Sequence, residues 1–126
     1  MMPELPSPRL ASAAQAALDK KAAAITVLDL REMAAFTDFF LLCTGWSGPQ
    51  VQAIADEMEK RMKDQGLRRP HREGYNAAEW VLLDYGEFVV HIFSEKARLY
   101  YDLERLWRSA RRIEIPEPGA GHIATG

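Results

Sequence analysis

At 126 residues the chain is long enough for one domain with its own hydrophobic core. Its 48% hydrophobic and 27% charged residues describe a folded globular protein and exclude a disordered or fibrous one. A formal net charge of -2 counts against a dedicated nucleic-acid binder, and Cys43, the single cysteine, excludes an internal disulfide or a Cys-rich zinc site. No apolar run approaches the roughly 20 residues of a membrane span. The Ala-rich start lacks the pattern of a secretory signal, and Glu4, Asp19 and the scarcity of Arg count against an organellar transit peptide. The expectation is a cytoplasmic protein without membrane contact.

After a Pro-containing lead-in (1–9), RLASAAQAALDKKAA consists of good helix formers with apolar positions on one side, predicting a helix over 8–23. ITVLDL (25–30) and DFFLLCTG (38–45) are short, apolar and rich in β-formers, predicting two buried strands. In SGPQVQAIADEMEKRMKDQG, Ser47 and Gln50 have the spacing of a capping box, Pro49 suits the first turn, and Gly66 supplies the stop. Val51, Ile54, Ala55, Met58 and Met62 recur at helical spacing as a core stripe.

LRRPHREGYNAA, broken by Pro70 and Gly74, reads as a weak strand or loop. EWVLLDY and EFVVHIF read as a hairpin turning at Tyr85-Gly86. EKARLYYDLERLWRSARR reads as one last helix, with Leu99, Leu103, Leu106 and Ala110 on its inner face and Trp107 widening it. The tail 113–126 is expected to be flexible, with no metal role for His122. The fold class is therefore α/β in the α+β sense: a mixed sheet of four to five strands, with helices mainly on one side.

A turn at Tyr85-Gly86 opposes Asp84 to Glu87 and Trp80 to His91, and directly opposed residues share a face. One face is then Val81, Leu83, Phe88, Val90 and Ile92, wholly apolar and turned to the helices. The other carries Trp80, Leu82, Asp84, Glu87, Val89, His91 and Phe93. An apolar centre with a charged rim has the anatomy of a protein interface. The competing reading covers Trp80 with the first helix or with residues 74–78.

An enzymatic alternative takes Asp84 and Glu87 as ligands of a hard cation, Asp29 or Asp38 as a third acid, and TGWSG (44–48) as a phosphate cradle. That loop lacks the spacing of a P-loop or dinucleotide fingerprint, and no nucleophile–base set accompanies it. No catalytic residue, metal ligand or cofactor is assigned. The basic stretches RRPHR (68–72) and RLWRSARR (105–112) offer an rRNA-contacting reading beside the ordinary one of solvated charge.

The segments TDFFLLCTGWS, QVQAIADEME, EGYNAAEWVLLDYGEFVVHIF and RLYYDLERLW together closely resemble the ribosomal silencing factor RsfS, or Iojap, family over about residues 10–110. The bulky Trp46 departs from the small polar residue frequent there. The resemblance implies an RsfS domain over 10–112, similar to nucleotidyltransferases but without their catalytic set. It also implies binding of the large ribosomal subunit through its ribosomal protein 14, a steric block to small-subunit joining, and repression of translation. The basic partner it implies gives Glu73, Asp84 and Glu87 a counterpart and makes Trp80 the anchor, with Leu82 and His91 on the same face. A homodimer of the free protein through that face is a further reading, opposed by the acids on both copies.

Overall fold

Two capped helices begin the chain's main structural units. Ser7 accepts a hydrogen bond from the Leu10 N–H at 3.3 Å, and Ser47 accepts one from the Gln50 N–H at 3.2 Å. In each helix a proline occupies the first turn, where its missing N–H costs nothing. The computed structural model describes residues 2–117. Its elements are α1 (Pro8–Asp19), β1 (Ala23–Asp29), β2 (Phe39–Gly45), α2 (Gly48–Asp64), β3 (His71–Glu73), β4 (Trp80–Asp84), β5 (Phe88–Ser94), α3 (Glu95–Tyr101), α4 (Leu103–Leu106) and β6 (Arg111–Glu114).

The strands form one six-stranded sheet in the order β3-β4-β5-β2-β1-β6. Only the central pair, β2 and β5, is parallel. These two strands are buried almost throughout, matching their unbroken apolar sequences. Helices α1 and α2 pack against each other and against one face, where Leu10, Ala13, Val51, Ile54, Met58 and Met62 meet Leu41, Cys43, Leu83, Phe88 and Val90. Burial pushes the Cys43 thiol up to about 12, leaving it a small apolar filler. No helix among the described residues is long and apolar enough to cross a membrane.

The mixed α+β class matches the sequence reading, with six strands instead of four to five. The extra strand comes from the segment read as one long helix. Asp102 adopts a left-handed conformation (φ 49°, ψ 50°) and breaks that helix, so α3 and α4 lie on the second face of the sheet and the chain then returns as β6 along β1. Leu103, Trp107 and Ala110 pack there against the cluster around Phe40, Val89 and Phe93. Leu99 and Leu106, assigned to the inner face of a continuous helix, are instead 78% and 74% exposed. Helices thus cover both faces of the sheet, not mainly one.

Arg98 is the reason the broken segment holds. Its guanidinium donates to the Ala24 carbonyl at 2.5 Å, to Thr44 Oγ1 at 3.1 Å and to Thr26 Oγ1 at 3.2 Å, while its Nε meets Glu104 at 3.0 Å. Arg112 on β6 approaches the same Glu104 carboxylate at 2.6 Å. Burial alone would raise the Glu104 pKa, but hydrogen bonds and charge from Arg98 and Arg112 outweigh it and hold the group below its ordinary value. The ordered fold also passes residue 112, the expected domain edge, because Ile113 pairs with Val27 and Ile115 is buried. His122 and the rest of the tail from residue 118 lie outside the described residues.

Candidate docking surface

The hairpin turns one residue later than the sequence suggested. Tyr85 N–H donates to the Phe88 carbonyl at 3.0 Å, so Gly86 and Glu87 are the central turn residues. Gly86 takes the positive φ of 86° that the tight turn requires, and Glu87 has no positive φ. Asp84 therefore faces Val89, and Trp80 faces Phe93, in place of the expected Glu87 and His91. Shifting the turn by one residue moves the pairing by two, which keeps every strand residue on its assigned face. Glu87 alone leaves the set: it is a turn residue and lies 3.6 Å from Arg9 on α1.

Four of the proposed partner-binding residues come together on the second face. Trp80, Leu82 and Asp84 alternate along β4, and Glu73 on β3 pairs opposite Leu82. The Asp84 carboxylate accepts the Gly86 N–H at 2.8 Å, which orders the turn while leaving the side chain partly exposed. Glu73 lies 2.6 Å from His71 on the same face. Gly74 follows with φ 80° and brings its backbone against β4.

Trp80 is half-buried, and its cover is Tyr101 of α3, at 4.6 Å between ring centroids, with Phe93 beneath at 5.2 Å. Neither α1 nor residues 74–78 supply the cover: α1 packs in the opposite core. His91, placed with the partner-binding residues, is only 4% exposed and lies under Trp80, not beside it. Its Nδ1 is 3.1 Å from Trp80 Nε1, and Phe40 meets it edge to face at 4.6 Å. Burial lowers the His91 pKa to about 4, so the ring is neutral at neutral pH.

Tyr101 and Phe36, missed by sequence reasoning, extend the apolar area. Tyr101 is 48% exposed, and Phe36 is 75% exposed, 6.3 Å from Phe40. A signal for Tyr101 was available: Ser94 ends β5 and caps α3 directly, accepting the Ala97 N–H at 3.1 Å. A helix starting there lies over the second face of the sheet, and its last residue, Tyr101, reaches Trp80.

The Asp29 carboxylate invoked for catalysis has another partner. Arg31 forms a bidentate pair with Asp29 at 2.7 and 3.0 Å, and its hydrogen bonds hold the Asp29 pKa below the ordinary value despite desolvation. Asp38 joins Leu30 and Glu87 through its backbone. Among the described residues no group of three or more His, Cys, Asp or Glu is arranged to hold a metal ion. The first glycine of the TGWSG loop also has a packing role, since a Cβ on Gly45 would lie 2.8 Å from Val51 Cγ2. The Trp46 N–H donates to Gln50 Oε1 at 2.5 Å.

Fold and site together define a mixed α+β domain whose distinguishing surface is an aromatic face with an acidic rim. The chain matches the family described as RsfS, ribosomal silencing factor during starvation, over residues 3–125. It is 45% identical to a ribosomal silencing factor RsfS of Halalkalibacterium halodurans, over 77% of this chain and 83% of that one. It is 35% identical to the chloroplastic protein Iojap of Zea mays, over 83% of this chain and 46% of that one. A crystal structure of a Chromobacterium violaceum protein superposes with a TM-score of 0.77 at 31% identity, covering 89% of this chain and 92% of that one. A Bacillus halodurans crystal structure gives 0.73 at 44% identity, covering 83% and 95%. The chain belongs to the RsfS family of ribosomal silencing factors.

Proposed function

We propose that this protein is a non-enzymatic anti-association factor of the cytoplasm. Its Trp80 face docks on the large ribosomal subunit, through large-subunit ribosomal protein 14, and sterically prevents the small subunit from joining, so that translation falls. The observation that carries this reading is the half-buried Trp80 flanked by Tyr101 and Leu82, with Glu73 and Asp84 at the rim. A centre of large amphipathic side chains supplies affinity, and peripheral charges supply steering and orientation toward a basic partner. Glu87, in the turn and ion-paired to Arg9, stands outside this rim.

Co-sedimentation with purified large subunits tests the placement. Trp80→Ala is expected to reduce binding sharply and Asp84→Lys to abolish it; unchanged binding in both would remove the interface from this face. Light scattering of the two subunits, with and without the protein, tests the steric block. The nucleotidyltransferase-like alternative requires magnesium-dependent heat with ATP or CTP that is lost in Asp84→Asn. A second copy is the competing occupant of the same face, and sedimentation equilibrium of the free protein detects it.

A further inference from the structure

We propose that His91 is a positioning residue for docking: it consumes the Trp80 indole N–H, so that Trp80 offers its partner a bare ring and no hydrogen-bond donor. This rests on the docking reading above and specifies what the Trp80 position recognises. Trp80 Nε1 lies 3.1 Å from His91 Nδ1. An indole N–H can only donate, so Nδ1 must be the acceptor and the proton of the neutral imidazole must sit on Nε2. That Nε2 is buried and has no hydrogen-bond partner among the described residues.

A buried polar side chain with one atom unsatisfied is costly, and a leucine or phenylalanine in the middle of β5 would avoid the cost. What the imidazole provides that an apolar residue cannot is an acceptor beneath Trp80. Phe40 fixes the imidazole from one side, edge to face at 4.6 Å, and Phe93 stacks near it at 6.1 Å with an interplanar angle of 11°. Tyr101 and Phe93 lie against the indole at 4.6 and 5.2 Å, tilted by 45° and 31°, and leave it half-exposed. The bond decides between indole orientations that packing against flat rings would leave close in energy.

The partner chemistry follows. With its N–H committed inward, Trp80 can gain from alkyl carbon or from a guanidinium or ammonium group over its ring, and it cannot reward a carbonyl or carboxylate acceptor. The acidic neighbours Asp84 and Glu73 favour the cation among these, so the counterpart is an Arg or Lys side chain laid against the part of the indole that Tyr101 and Phe93 leave exposed.

The test combines indole N–H exchange by NMR in the free, full-length protein with binding to purified large subunits. The indole of Trp80, assigned with Trp80→Phe, is expected to exchange at least tenfold more slowly than that of the exposed Trp46. His91→Phe is expected to erase this protection and weaken subunit binding about tenfold. His91→Asn, whose Oδ1 can stand where Nδ1 stood, should restore both. Trp80→Phe should bind within about threefold of the parent, whereas Trp80→Ala should lose about thirtyfold or more.

Exchange at Trp80 as fast as at Trp46 overturns the proposal even if His91→Phe fails to fold. So does a folded His91→Phe variant that binds within twofold of the parent, or a Trp80→Phe loss equal to that of Trp80→Ala. Unchanged binding by Trp80→Ala sinks the docking reading instead, while the exchange result still decides whether His91 positions the indole.

Discussion

A Cβ placed on Gly74 would lie 2.0 Å from the Trp80 carbonyl oxygen. The backbone of Gly74, at φ 80°, is therefore part of what seats Trp80 at the start of β4. Because left-handed strain and a backbone collision act together, Gly74→Ala is expected to cost about 2–4 kcal/mol. Since the atom in the way is main chain, the displaced group is the residue whose indole is proposed to dock. Chemical denaturation of Gly74→Ala should thus show lost stability, and subunit binding should weaken even where the variant is fully folded. A variant as stable as the parent would contradict the close approach.

The Arg98–Glu104–Arg112 cluster should behave as a unit. The side chains of Arg98 and Glu104 are 11% and 18% exposed, so removing the cation leaves a mostly desolvated carboxylate with only Arg112 for a partner. Arg98→Met is expected to destabilise by about 2–4 kcal/mol, and adding Glu104→Gln should recover part of that loss. Additive losses in this double-mutant cycle would show that the two side chains are energetically independent.

Stability should fall in mild acid because of His91. Its folded-state pKa of about 4 lies below the ordinary 6.5, so the unfolded chain binds the proton first as pH drops. Stability is complete above about pH 6.5 and declines as pH falls toward 4, by roughly 3 kcal/mol from this group. Protonation also removes the acceptor for the Trp80 N–H. As pH falls through their ordinary values of 4.5 and 3.8, the lowered pKa values of Glu104 and Asp29 add further loss as the unfolded chain takes up protons first. Urea midpoints of the parent and of His91→Asn between pH 7 and 4 measure this, with a flatter profile expected for the variant; equal slopes would count against His91 as the source.

The break at Asp102 makes opposite forecasts for neighbouring leucines. Leu99→Glu and Leu106→Glu, at exposed positions, should change stability by no more than about 0.5 kcal/mol. Leu103→Glu, in the second-face cluster, should cost about 2 kcal/mol or more. Thermal melts of the three variants distinguish this arrangement from a continuous amphipathic helix, which would penalise all three.

Docking should be salt-sensitive and should involve Tyr101. Tyr101→Ala removes the ring 4.6 Å from Trp80, and a fall of about 1–2 kcal/mol in large-subunit affinity is expected. Raising salt should slow association more than it speeds dissociation if the proposed rim acids Glu73 and Asp84 steer docking. Surface-plasmon kinetics on immobilised subunits separates the two rates, and a salt-independent association rate would rule out steering by these acids.

Strand alternation settled more of this protein than any other sequence signal. Because side chains in a strand alternate with period two, Val81, Leu83, Phe88, Val90 and Ile92 could be assigned to one face and Trp80, Leu82, Asp84, Val89, His91 and Phe93 to the other. The structure keeps that division although the turn lies one residue later. The helix caps at Ser47 and the stripe from Val51 to Met62 were legible for the same reason: local geometry alone places them.

What local geometry does not encode had to come from the tertiary fold. The spacing of Leu99, Leu103, Leu106 and Ala110 is genuinely helical, yet the exposed edge of β1 and the reach of Arg98 across β1 and β2 make a broken segment and a sixth strand the better arrangement. Likewise, period two could say that His91 shares a face with Trp80, but not how deep it lies. Depth depends on what Phe40, Tyr101 and α3 bring over that face from distant parts of the chain, and that packing makes Trp80 the surface residue and His91 the acceptor beneath it.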